Sequence, residues 1–268
     1  MLYRLPPDPE KLWEESQPFV HPLSGVLVID DSTLDKPYAQ KIELVTRHWS
    51  GKHHDVVLGI NLITLLWSDG DCHIPCDYRI YDKSNDGLSK NDHFQSLLSH
   101  AHARGFSPQC VVFDSWYSSL KNLKTLRRFG WHWLTRLKSN RLVNLDQQGN
   151  RPLSQLPLSE NGTVVHLKGY GFIKVFKIVA TDGDIEFWAT SHLKMDEFFR
   201  LKYAEISWAI EEYHRGIKQF VGVERCMLRQ AKAQRNHIGM AWRAFLRLER
   251  YCFETGLSWF EAKMSIIL

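Results

Sequence analysis

The chain has 268 residues, 44% of them hydrophobic and 12% aromatic, enough apolar material for one large core or for a core with a modest insert. No apolar run approaches the ~20 residues of a membrane span, and the first sixteen residues carry prolines and acids where a secretory signal is apolar, so a cytoplasmic setting is the default. The net charge of +4 is too small to identify a nucleic-acid partner, but it is unevenly spread: Lys121–Arg141 hold seven Lys/Arg and no acid, and Tyr213–Arg250 hold nine against Glu224 and Glu249.

In chain order, residues 1–24 are proline-rich and read as an irregular lead-in. Val26-Leu27-Val28-Ile29 reads as a buried strand that delivers Asp30 and Asp31 at its C-terminal end. Val56–Trp67 is β-rich, stops at Ser68-Asp69-Gly70-Asp71 and resumes over Ile74–Ile80, which predicts a hairpin and three antiparallel strands in succession. The five cysteines, at 72, 76, 110, 226 and 252, are odd in number and scattered, which fits reduced thiols. Cys72, His73 and Cys76 lack a second ligand pair downstream, so no zinc site is expected.

A helix capped by Asn91 or Asp92 follows, with Phe94, Leu97, Leu98 and Ala101 on one face and Gly105 as its stop. Cys110–Phe113 is a second buried strand ending in an acid, Asp114, with Trp116 reading first as packing beneath it. A basic helix near Ser119–Phe129 and a strand over Trp131–Leu137 come next. Three strands, helix, strand, helix, strand is the order of an RNase H-like core, an α/β fold in which a mixed sheet is flanked by helices. From residue 139 to 193 alternation and glycine punctuation indicate a β-rich insertion, and helical patterning runs from 194 to 268 with a break at Gly222. The organisation expected is therefore a first part of the core over 25–138, the insertion, and a C-terminal helical part of the same core.

The late helix through Tyr203–Phe220 buries Ile206, Ile210, Tyr213 and Ile217, while Glu211, His214, Arg215 and Lys218 share the other face. Acids at two strand ends and on a distant helix are an unfavourable group to bring together. Two unit charges ~4 Å apart repel by roughly 4 kcal/mol at an effective dielectric near 20, so such a cluster calls for bound cations. A carboxylate-only donor set selects Mg²⁺ or Mn²⁺ over zinc, and two such ions are the machinery of phosphodiester cleavage and strand transfer. Arg215 and Lys218, one and two turns beyond Glu211, would then face a phosphate backbone, as would Lys138 and Arg141 at the exit of a core strand and Arg225 and Arg229 in the second basic segment.

The residues Val28-Ile29-Asp30-Asp31-Ser32-Thr33, Phe113-Asp114-Ser115-Trp116-Tyr117-Ser118-Ser119 and Trp208-Ala209-Ile210-Glu211-Glu212-Tyr213-His214-Arg215, with Lys218 seven places after Glu211, resemble an insertion-sequence transposase of the DDE class with a β-rich insert before its catalytic Glu. The resemblance covers roughly residues 26–245. It implies a metal-dependent enzyme that nicks the ends of a transposon and joins the freed 3′-hydroxyl to target DNA, working on DNA as at least a dimer. The implied catalytic and metal-binding residues are Asp30 or Asp31, Asp114 and Glu211; both first acids fit, and alternation along the strand lets one of them face the metals. Ala204 and Ser207 stand where the family signature has Tyr and Arg, and 29 residues precede Asp30 where relatives carry a DNA-end-binding region, so a shortened or split form is expected. A nuclease that cuts without joining, and a remnant that binds DNA without cutting, fit the same residues.

Overall fold

The structure, a computed structural model, describes residues 2–50, 54–181 and 183–267. Along the chain run α1 (Glu10–Ser16), β1 (Val26–Asp35), β2 (Thr46–Ser50), β3 (Asp55–Ser68), β4 (His73–Ile80), the short α2 (Lys83–Asp86), α3 (Lys90–Ala103), β5 (Cys110–Phe113), α4 (Leu120–Arg128) and β6 (Trp133–Leu137). After them come β7 (Leu142–Asn144), β8 (Arg151–Pro152), β9 (Thr163–Leu167), β10 (Gly171–Val179), β11 (Ile185–Thr190), α5 (Glu197–Gln219), α6 (Ala231–Thr255) and α7 (Trp259–Ile267). The fold is mixed α/β, with parallel and antiparallel strand pairs and flanking helices. None of the described helices is long and apolar enough to cross a membrane.

Two compact units divide these elements: Met1–Val20, Asp30–His93 and Ala209–Leu268 form the first, His21–Ile29 and Phe94–Trp208 the second. In the second unit, Val26–Ile29 of β1 pair in parallel with Cys110–Phe113 of β5, and β5 pairs in parallel with β6. Both apolar runs are at most 4% exposed, the signature of strands covered on both faces. Helix α3 contributes buried Phe94, Leu97, Leu98 and Ala101, and α4 contributes Leu123 and Leu126. From β6 the sheet continues in antiparallel order through β11, β10, β9, β7 and β8, so the region read as a β-rich insertion is strand-dominated.

In the first unit, β3 pairs antiparallel with β2 and with β4, and the β3–β4 register shifts between Leu65 and Leu66, opposite Pro75. A proline has no N–H for the ladder, and a bulge accommodates it. The core here is aromatic: Tyr213 of α5 and Trp242 of α6 stack at 5.9 Å between ring centroids, Tyr78 of β4 stacks on Trp242 at 6.1 Å, and Phe245 meets Tyr213 edge-on at 4.6 Å. Such side chains bury the largest apolar areas available to a chain, which is what holds the helices against the strands.

Three expectations are corrected. The lead-in read as irregular contains α1 and a following 3-10 turn over Gln17–Phe19, with Leu12 buried and Ser16 Oγ donating to Pro75 O at 2.6 Å. Strand β2 lies between the first two predicted strands; its Trp49 is 64% exposed and its Thr-Arg-His-Trp-Ser sequence has no apolar run to announce it. The cap of α3 is Ser89, whose Oγ and N–H both donate to Asp92 Oδ2 at 2.6 and 3.0 Å while Asp92 N–H donates back to Ser89 Oγ. Asp92 is thus the third helical residue of a reciprocal cap and not the cap itself.

Candidate active site

Strand β1 passes from its buried apolar run into Asp30 and Asp31, each only partly exposed. Alternation sends them to different surroundings. Asp31 Oδ2 accepts hydrogen bonds from Lys90 Nζ at 2.7 Å and from Asn61 Nδ2 at 2.8 Å, and the same Asn61 amide reaches Thr33 Oγ1 at 3.3 Å. Asp31 therefore has an ammonium partner that neutralises it, at side-chain exposures of 19% for Lys90 and 20% for Asp31. Asp30 Oδ2 lies 3.9 Å from His214 Nδ1 on α5, beyond hydrogen-bond reach, and His214 Nε2 meets Thr64 Oγ1 at 3.3 Å. Burial, reinforced by Lys218, pushes the His214 imidazole down to about 4, so it faces Asp30 as a neutral ring at neutral pH.

Helix α5 sorts its polar residues by face. Ile206, Ile210, Tyr213 and Ile217 are buried, as their spacing predicts. Glu211 is exposed, one turn before His214 and two turns before Lys218, and makes no hydrogen bond or ion pair among the described residues. Glu212 and Arg215 belong to a different face: with Gly216, Gln219, Phe220 and Trp259 they line a cleft on the α7 side. Glu211 and Glu212 therefore stand on different faces of α5. Lys218 is half-buried and committed: its Nζ donates to Thr33 O at 2.7 Å and stands 3.4 Å from Glu224 Oε1. Its ammonium ties α5 to the end of β1, a role that the bare spacing of Glu211 and Lys218 does not reveal.

In the second unit, Ile29 pairs with Phe113, and Asp114 immediately follows the last paired position of β5. Asp114 is exposed and caps the 3-10 turn Ser115–Tyr117, its Oδ1 accepting from Ser115 N–H at 2.5 Å. That turn is anchored by Tyr117, which is fully buried and stacked on Phe94 at 4.9 Å, and by Asn122 Nδ2 donating to Tyr117 O at 2.8 Å. Trp116, expected to pack, is instead 59% exposed; the buried aromatic is its neighbour Tyr117, since a 3-10 turn sends consecutive side chains in different directions. Lys138 is exposed beyond β6, and Arg141 is half-buried in the turn that follows, its N–H donating to Lys138 O at 2.9 Å.

The remaining predicted cations lie in the first unit. Gly222, at φ +65°, ends the α5 region in a left-handed residue that glycine adopts without a Cβ clash, and a 3-10 turn over Val223–Arg225 follows. Arg225 and Arg229 are both exposed. Sequence reading missed Lys36, buried between Glu224 O and Cys226 O as their donor, and Asn61 and Lys90, which hold Asp31. Their signal is weak because each lies far in sequence from the motif that it serves.

Among the described residues no group of three or more His, Cys, Asp or Glu side chains is gathered as a ready metal cage. The donor set nevertheless suits hard divalent cations: every candidate is a carboxylate, and no Lys or Arg pairs with Glu211 or Asp114 among the described residues.

A family model described as DDE superfamily endonuclease matches residues 9–158, and one described as archaeal putative transposase ISC1217 matches residues 90–257. No curated protein sequence matches the chain significantly. Among solved structures, the chain is similar to piggyBac transposase in a synaptic complex with hairpin DNA, with a TM-score of 0.57 and 13% identity over 90% of this chain and 51% of that one. The chain thus spans about half the length of the solved protein that it matches, and the likeness is one of fold. With each family model covering more than half of its residues, the chain belongs to the DDE superfamily of endonucleases and transposases.

Proposed function

We propose that this chain is the catalytic part of a cut-and-paste DNA transposase, in which Asp30, Asp114 and Glu211 hold two divalent metal ions, Mg²⁺ or Mn²⁺. The observation that carries the reading is the parallel pairing of Val26–Ile29 with Cys110–Phe113, because in each strand the residue after the last paired position is an acid. Asp30 is chosen over Asp31 because Asp31 is already neutralised by Lys90 and held by Asn61. Asp31 then acts as a positioning residue that fixes the middle of β1.

Bound there, the metals supply charge neutralisation at a phosphodiester and lower the pKa of an attacking water or 3′-hydroxyl. The protein supplies the rest. Glu211, carried on a helix whose opposite stripe is locked in the core, is held at a fixed height along α5; Lys218 keeps that helix tied to Thr33 and Glu224. Arg215, Arg225 and Arg229, with Lys138 and Arg141 in the second unit, are proposed to hold the DNA backbone through phosphate contacts that position without reading sequence. Bringing two transposon ends together calls for at least two copies of the chain.

The test is a gel assay of the purified chain with labelled transposon-end DNA and Mg²⁺ or Mn²⁺, beside Asp114→Ala and Glu211→Ala. Cleavage and joining by the wild-type chain, abolished in both variants, is the expected result. Cleavage retained in either variant, or DNA binding with no cleavage by the wild-type chain, would overturn it.

A further inference from the structure

We propose that a cleft in the first unit, lined by Tyr38, Gln40, Lys41, Ile42, Met227 and Arg229, captures a single unpaired nucleotide of DNA, a reading that rests on the DNA function above. The cleft has a volume of about 380 Å³, within the roughly 300–1,000 Å³ typical of small-ligand sites. It is formed by two loops, one leading away from β1 and the other leading into α6, and its lining contains two cations and no carboxylate.

The two loops are fastened to each other. Lys36 Nζ donates to Cys226 O at 2.7 Å, Glu43 N–H donates to Arg229 O at 3.0 Å, and Ala231 N–H donates to the Glu43 carboxylate at 2.7 Å. From the other side Gln234, fully buried, donates to Cys226 O at 3.0 Å and to Leu228 O at 2.7 Å. With those carbonyls engaged inward, Cys226 is buried while Met227 and Arg229 point outward. The backbone of the two loops is thus fixed before binding, which lowers the ordering cost of binding.

What it presents is unusual for a solvated loop. Tyr38 is 90% exposed and Met227 64% exposed, so a flat ring and a polarisable thioether stand beside two cations that pair with no acid among the described residues. Every base has a π-face that stacks on such a ring, and the phosphate next to it would meet Lys41 and Arg229. The Gln40 amide offers both a donor and an acceptor to a base edge. A continuous duplex offers its base faces to nothing, because they are stacked on one another; only an unpaired or terminal nucleotide can present one. The geometry therefore points to a DNA end or a displaced strand as the ligand.

The experiment measures binding of the whole chain, without divalent metal so that no cleavage occurs, to a blunt duplex and to the same duplex carrying a short 3′ or 5′ overhang with 2-aminopurine at its unpaired position. The overhang duplex is expected to bind roughly tenfold tighter than the blunt one, the order of one stacked base, with quenching of the 2-aminopurine fluorescence. Tyr38→Ala is expected to bind both duplexes alike without quenching, and Tyr38→Trp to restore the preference. Equal affinity of the wild-type chain for both duplexes, or a preference that survives in Tyr38→Ala, overturns the nucleotide site while leaving the DNA reading intact. Absence of binding to either duplex overturns that reading and this site together.

Discussion

His48 shows what burial does to a single group. It lies on β2, 6% exposed, its Nε2 2.8 Å from Thr46 Oγ1 and its ring edge-on to Tyr81. Burial first, and then the charge of Lys90, push its pKa down to about 4, against an opposing pull from Asp31. An imidazole whose folded value lies below its unfolded value near 6.5 is protonated first in the unfolded chain. The stability it contributes is therefore complete above about pH 6.5 and is lost as pH falls toward 4, by up to about 3 kcal/mol from this residue. Urea midpoints measured from pH 7 to pH 4.5 should fall less steeply for His48→Gln than for the wild-type chain; parallel curves would show that His48 does not carry this part of the acid sensitivity. At the same scale, the different surroundings of Asp30 and Asp31 were not legible in the sequence. Both fit a strand-end acid, and only the placement of Lys90 and Asn61, 59 and 30 residues away from Asp31, separates them.

Elements whose signal is a run or a stripe were legible. The apolar tetrads of β1 and β5, the face of α3 and the buried stripe of α5 each carry a periodicity that survives into the fold, because packing on one side demands it. Elements stabilised by a neighbour were not. Strand β2 is defined by its ladder with Asp55–Gly59 of β3 and not by its own composition, and α1 follows a proline-rich stretch that masks it. Gly59 shows how closely β3 approaches β1: a Cβ there would lie 2.4 Å from Thr33 Cγ2 and 2.6 Å from Leu34 O. Backbone on one side leaves no room to yield, so Gly59→Ala should cost at least about 1–3 kcal/mol of stability, read as a lowered urea midpoint. An unchanged midpoint would mean that β3 and β1 are less tightly packed than described.

Over the whole molecule, phosphodiester chemistry was read from three separated acids and transposase function from a resemblance to the DDE class, and family membership agrees with that resemblance. The partition into two units was less accessible, because three of its four boundaries fall inside β1, α3 and α5, where neither composition nor periodicity changes. The two basic segments carry a quantitative expectation. If Arg225 neutralises one DNA phosphate, Arg225→Ala should weaken binding by a similar factor for every duplex sequence and reduce the slope of log affinity against log salt by about one. An unchanged slope would remove Arg225 from the DNA contact surface.

The central claim is that segments far apart in sequence share one metal centre, and localised protein cleavage tests it most directly. Fe²⁺ in place of Mg²⁺, with ascorbate and peroxide, breaks the backbone next to wherever the metal binds. Breaks are expected in three places, around Asp30, around Asp114 and around Glu211, all suppressed by excess Mg²⁺ and lost together in Asp114→Ala. Breaks confined to one of these segments, or lying elsewhere in the chain, would contradict it.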